Sequence, residues 1–227
     1  MTGRVFLAGG GGSAESRPLD EEFARAVGRG SLSYWPVAFD PRTHDYTECL
    51  GWLRQVFAPL GVRDIAMWTG QTPVHPADFR GVYIGGGNTY RLLSVVRRWD
   101  LLDRLRDFVA GGGVVFGGSA GAALLGADIS TVAHLDRNDV DIDGTTGADL
   151  AAGHGVFVHH EESDLARETV WSAIHGRPAL ALSEGANAVV AGHAVTAVGA
   201  EPVVVVGKDG YRKLSPGATS YDGLSVQ

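Results

Sequence analysis

The sequence has one cysteine, Cys49, no run of lysine or arginine, and no apolar stretch of membrane-spanning length. A single thiol cannot close an internal disulfide and suits a reducing compartment. A formal net charge of −7 offers no basic surface to nucleic acid or to an anionic membrane as principal partner. The opening segment holds only a short apolar stretch, Val5–Ala8, with acids soon after. It reads as a first strand and not as a signal peptide. No repeat and no linker divides the 227 residues. The expectation is therefore one α/β domain over 1–227, cytoplasmic, with neither cofactor nor metal, monomeric or homodimeric.

Glycine, by contrast, is abundant: 33 residues, clustered at 9–12, 85–87, 111–113 and 117–118. Clusters between apolar runs read as functional turns. Arg4–Ala8 is the first strand, and Pro18 opens a helix with Asp20, Glu21 and Glu22 in its first turn, as a helix N-terminus prefers. Ser33–Phe39, Val62–Trp68, Val82–Ile84 and Val114–Phe116 are further strands, with an amphipathic helix at His44–Leu60. Helices at Thr89–Arg98 and Leu101–Ala110 separate the last two of those strands. This alternation predicts a doubly wound, mostly parallel sheet with flanking helices. Ligands bind such sheets beyond the carboxyl ends of the strands, where all the glycine clusters except 111–113 fall. Ala188–Val190, Ala194–Val198 and Pro202–Val206 predict C-terminal antiparallel strands in one meander, with 207–227 a surface tail.

Gly117-Gly118-Ser119-Ala120-Gly121 fits the G-x-S-x-G nucleophile elbow, with an apolar strand before it and a helix, Ala120–Leu125, after it. Small neighbours are required because the serine sits on a strained, sharp turn. Gly85-Gly86-Gly87-Asn88 follows a neighbouring strand, and a Gly87 N–H could join that of Ala120 as an oxyanion hole; Asn88 could also cap the next helix. A serine needs a base, and His160 is the candidate, at the end of the strand Gly155–Val158. His159 alternates to the other face of that strand. Two acids could orient the imidazole: Glu184, after the strand Ala179–Leu182, and Glu162, two residues beyond His160.

Two further patterns carry less. Gly9-x-Gly11-x-x-Ala14 faintly follows a dinucleotide fingerprint, but a helix starting at Pro18 begins too late to meet a pyrophosphate. Asp139-x-Asp141-x-Asp143-Gly144 opens like a calcium loop but lacks its closing glutamate, Leu150 standing there. The acid- and glycine-rich stretch 127–150 is expected to be a mobile loop near the site.

The segments Gly85–Leu93, Gly118–Ala122, the histidine-bearing strand end and Ser183-Glu184-Gly185 resemble peptidase family S51, the aspartyl dipeptidase and cyanophycinase group. The resemblance implies a class I glutamine amidotransferase-like fold and a Ser–His–Glu triad, mapping to Ser119, His160 and Glu184, with the hole at Gly87 and Ala120. It thereby favours Glu184 over Glu162. It also implies an acyl-enzyme mechanism on a small peptide substrate with an N-terminal aspartate. The chain departs from the family in reading His159-His160-Glu161 where a Pro-His-Tyr type segment stands, and Arg137 and Arg167 are the cations that could meet an aspartate. Two alternatives use the same pocket: an amidotransferase-like hydrolase or acyltransferase on a non-peptide amide, and a non-catalytic binding protein. A glutaminase would need cysteine at the elbow, whereas Cys49 falls in a predicted helix away from it.

Overall fold

Strand-length apolar runs alternate with amphipathic helices, and the computed structural model, which describes residues 3–221, folds them into two sheets with helices between and outside them. Five strands, β1 (Arg4–Ala8), β2 (Leu32–Trp35), β3 (Ile65–Met67), β4 (Gly81–Ile84) and β5 (Val114–Gly118), run parallel in the order β3-β2-β4-β5-β1. Three antiparallel strands extend this sheet beyond β1: β8 (Ala186–Ala191), β9 (Ala194–Gly199) and β12 (Thr219–Ser220). A second sheet is built from β6 (Gly155–Val158), β7 (Ala179–Leu182), β10 (Val203–Gly207) and β11 (Gly210–Leu214). The predicted α/β sheet with C-terminal antiparallel strands is present.

Alternation along β1 sorts its side chains to two cores. Phe6 and Ala8 face α1 (Ser13–Val27) and α2 (Tyr46–Phe57), where Phe23 meets Phe6, Phe57 and Phe116 edge-on at 5.2–5.8 Å. Val5 and Leu7 face α3 (Thr89–Arg98), α4 (Leu101–Ala110) and α5 (Ala120–Leu125), which the second sheet covers in turn. Beyond that sheet, α6 (Leu165–His175) packs Trp171 on Phe157. Among the described residues no helix is long and apolar enough to cross a membrane.

Three expectations need correction. First, α1 starts at Ser13, not Pro18: Gly12 is the N-cap, and the Glu15 carboxylate accepts from its N–H at 2.9 Å. Pro18 sits inside the helix and forgoes one backbone bond. Second, the C-terminal strands are not one meander, because β8 and β9 join the large sheet while β10 leaves for the small one. Third, the predicted tail pairs through β11 and β12, with residues 222–227 outside the described residues.

One feature of α1 makes stability depend on pH. Asp20 is 3% exposed, accepts from Ser16 Oγ at 2.9 Å, and burial raises its carboxyl to about 6. An unfolded aspartate titrates near ~4, so folding favours the protonated form. That contribution is fully present below about pH 4 and is lost as pH rises through about 6. Asp20→Asn should raise unfolding stability by about 1–3 kcal/mol at pH 8 and change it little at pH 4. Urea midpoints at the two pH values check this, and equal shifts at both would contradict it.

Candidate active site

The strand order β4-β5-β1 sets three glycine turns side by side: 85–87 after β4, 117–118 at the end of β5 and 9–12 after β1. Ser119 leaves β5 with φ 50° and ψ −111°, backbone that a β-carbon strongly resists. Its N–H donates to the Ala8 carbonyl at 3.0 Å, which ties the strained residue to β1. The flanking glycines are steric necessities. A β-carbon on Gly117 would lie 2.5 Å from the Gly121 carbonyl carbon, and one on Gly121 would lie 2.3 Å from the Ile84 oxygen. The elbow therefore closes only with glycine on both sides of Ser119.

The histidine on Ser119 is His159, not His160. Ser119 Oγ lies 2.8 Å from His159 Nε2, whereas His160 Nδ1 pairs with Glu168 Oε1 at 2.8 Å behind the site. The reason is a break in alternation. Val156 and Val158 face α5, as Phe157 faces α6, so strict alternation would send residue 160 toward the serine. The strand ends first: His159 takes φ 53°, which turns its own side chain onto Ser119. Its N–H donates to the Gly9 carbonyl at 2.9 Å, while the His160 N–H donates to Leu182. Gly10 completes the seat, since a β-carbon there would stand 2.2 Å from the imidazole Cε1. The run that faintly matched a dinucleotide fingerprint thus makes room for a side chain.

Because β6 and β7 pair in parallel with Val158 opposite Leu182, the residues following each strand emerge together. Glu184 Oε1 accordingly lies 3.4 Å from His159 Nδ1, a long contact on a half-open surface. Glu162 is directed elsewhere, 3.8 Å from Lys213 Nζ. His160, Asp164 and Glu168 form the one group among the described residues with ligand atoms close enough for a cation. Both Asp164 oxygens are already engaged, by Arg167 and by the Glu161 N–H. The aspartates at 139, 141 and 143 form no such group, and the Asn138 side chain folds that turn onto Ile142.

Gly86 packs against Ser119, where an added β-carbon would lie 3.4 Å from Ser119 Cβ. Gly87 holds φ 131° against the Ala38 carbonyl, and Asn88 caps α3 by accepting from the Arg91 N–H at 2.9 Å. The stretch expected to be a mobile loop is anchored. Asp136 accepts from the Thr89 N–H, Asn88 donates to Arg137 O, and Arg97 and Arg106 donate to carbonyls at 143–144 and 146–148.

A cavity of about 420 Å³ opens beside Ser119, with Tyr34, Tyr83 and Phe116 buried in it and Phe39 and Trp52 on its walls. Cys49 lines it too, so the thiol is not remote from the serine as its place in a helix suggested. Burial raises that thiol above its ordinary value, which keeps it neutral and a poor nucleophile.

Comparison with known proteins bears on the family and the fold. Residues 5–198 match the model of peptidase family S51. Peptidase E of Shigella flexneri is 36% identical over 124 residues, covering 54% of this chain and 51% of that protein. Peptidase E of Shewanella putrefaciens is 46% identical over 54 residues, 24% of this chain and 23% of that one. The chain thus spans about a quarter to a half of the length of these relatives. A crystal structure of a peptidase from an acI-B1 Actinobacterium has a TM-score of 0.70 at 19% identity, covering 98% of both chains. One from Listeria monocytogenes EGD-e, named for peptidase E, has a TM-score of 0.70 at 17% identity and covers 88% of this chain and 100% of that one. At such identities the two structures establish the fold alone.

The packing of Gly10 against the imidazole generates a test. Gly10→Ala should displace the His159 ring from Ser119 while the remaining histidines keep their environments. Imidazole resonances in heteronuclear NMR spectra read this directly. An unmoved His159 signal would show that the turn does not seat the ring.

Proposed function

The chain belongs to peptidase family S51, and from that membership we propose that it is a serine peptidase cleaving short peptides through Ser119, His159 and Glu184. The observation that carries the reading is the 2.8 Å contact between Ser119 Oγ and His159 Nε2, made by two residues both held at positive φ. Strained backbone at two facing side chains is costly and persists where the surrounding structure enforces it.

In the proposed mechanism His159 Nε2 takes the hydroxyl proton as Ser119 Oγ bonds to the carbonyl carbon of the scissile amide. The oxyanion that forms lies toward the backbone N–H groups of Ala120 and Gly87, the hole read from the sequence. His159 then gives its proton to the amide nitrogen, and the amine leaves. Water, deprotonated by the same imidazole, attacks the ester and frees Ser119. Glu184 orients the ring through Nδ1, and the imidazolium formed in each half-reaction favours a shorter contact than the resting 3.4 Å. His160, paired with the buried Glu168, acts in this reading as a brace between β6 and α6. The reading stops at short peptides. An N-terminal aspartate calls for a cationic or N–H-rich pocket, and neither lysine nor arginine lines the cavity at Ser119. Arg137 and Arg167, the cations considered for that purpose, are absent from its walls.

Two experiments separate the roles. A fluorophosphonate probe should label the native chain and not Ser119→Ala; an unlabelled native chain would count against the serine reading. On a cleaved dipeptide, His159→Gln should lower kcat by ~10³-fold or more. His160→Gln should leave kcat within several-fold and lower stability by about 1–3 kcal/mol, the cost of unpairing a buried carboxylate. The opposite pattern would return the base to His160.

A further inference from the structure

We propose that the cavity beside Ser119 is a side-chain pocket for an apolar, preferably aromatic, residue flanking the scissile bond. The proposal rests on the serine-peptidase reading and adds to it a substrate class.

Position comes first. Tyr34 lies on β2, Tyr83 on β4 and Phe116 on β5, all close to the carboxyl ends of strands whose turns form the site. Gly85, Gly86 and Gly118 lie between these rings and Ser119. An added β-carbon would lie 3.5 Å from the Tyr34 ring at Gly85, 3.7 Å from Phe116 and Tyr83 at Gly118 and 3.4 Å from Ser119 Cβ at Gly86. Glycine at these positions therefore leaves a path from the nucleophile toward the rings for a group attached to the acyl carbon or the leaving amine. At about 420 Å³ the cavity exceeds the volume of a phenyl ring and is of the size that encloses small ligands.

The walls then set the chemistry. Tyr83 stacks on Phe116 at 4.5 Å between ring centroids and meets Tyr34 edge-on at 5.8 Å. This fixed aromatic wall offers further edge and face contacts to an incoming ring. At the mouth, Phe39 stacks on His44 at 4.3 Å, and Trp52 is 43% exposed.

Charge decides against an acidic occupant. No lysine or arginine lines the cavity, and its one carboxylate, Glu48, is exposed at the rim. Burial raises the phenols of Tyr34 and Tyr83 and the thiol of Cys49, so all three stay neutral. Among the rings an aspartate side chain would lose its water and meet no lysine or arginine, with Glu48 at the rim to repel it. A basic side chain gains little from Glu48, which water screens. An apolar side chain gains from burial with no charge to desolvate.

The test measures binding and catalysis separately. Binding uses the Ser119→Ala chain and calorimetry with Phe-Gly, Leu-Gly, Asp-Gly and Arg-Gly, and with the same four residues in the second position after glycine. At one of the two positions the phenylalanine peptide should bind at least ten-fold more tightly than the aspartate and arginine peptides. Cys49→Trp, which fills the cavity, should remove that preference, and Trp52→Ala, a change at an exposed position expected to fold whatever Cys49→Trp does, should reduce it several-fold. Equal affinities, tighter binding of a charged peptide, or undetectable binding of the phenylalanine peptide would each overturn the pocket assignment. Fluorophosphonate labelling of the native chain reports on the serine reading by itself. Labelled Ser119 without an aromatic preference removes the pocket and keeps the peptidase, whereas aromatic binding without labelling does the reverse.

Discussion

The contact between Ser119 Oγ and His159 Nε2 depends on backbone that ordinary packing would not tolerate. Each of the two residues sits at a φ near +50°. Each is held by a bond to the first strand or its turn, Ser119 through the Ala8 carbonyl and His159 through the Gly9 carbonyl. β1 is therefore the reference to which both sheets are aligned, supplying one anchor for the large sheet's elbow and one for the small sheet's strand end. Glycine at 9, 10, 117 and 121 follows from this arrangement, because main chain or imidazole occupies the space where each β-carbon would project.

This arrangement explains which parts of the fold could be read from sequence. Short apolar strands ending in glycine were legible because their signal is local, and so was Ser119, whose strained turn requires small neighbours on both sides. α3 and α4 were legible for the same reason, their periodic Leu and Val facing inward. The start of α1 was not, since Pro18 imitates a first-turn proline and the true cap, Gly12, has no side chain to announce it. Nor was the division into two sheets. β8, β9 and β10 carry the same short apolar pattern, and what sends β10 to β7 is partner choice across the fold.

The choice between His159 and His160 marks the limit more sharply. Alternation along β6 is sound as far as Val158, but one left-handed residue reverses the faces that follow, and no residue type demands that conformation there. The residues left Glu184 and Glu162 both open and the resemblance to the family favoured Glu184, whose approach to the imidazole depends on the β6–β7 register. The glycine run at 9–12 was set aside as a phosphate-binding turn because the helix was placed at Pro18, a ground that the start of α1 at Ser13 removes. Its spacing resembles a phosphate-binding turn, whereas its function in this fold is to clear space for a ring. Cys49 likewise seemed distant along the chain, yet α2 carries it to the wall of the serine's cavity.

The central claim is that His159 and Ser119 act on one bond. A crystal structure of the fluorophosphonate-treated chain tests it most directly. The account predicts a phosphonyl group bonded to Ser119 Oγ, with a phosphoryl oxygen facing the N–H groups of Ala120 and Gly87. His159 Nε2 should remain within hydrogen-bond distance of Ser119 Oγ. An adduct on another residue, or one on Ser119 with His160 turned in and His159 displaced, would contradict it.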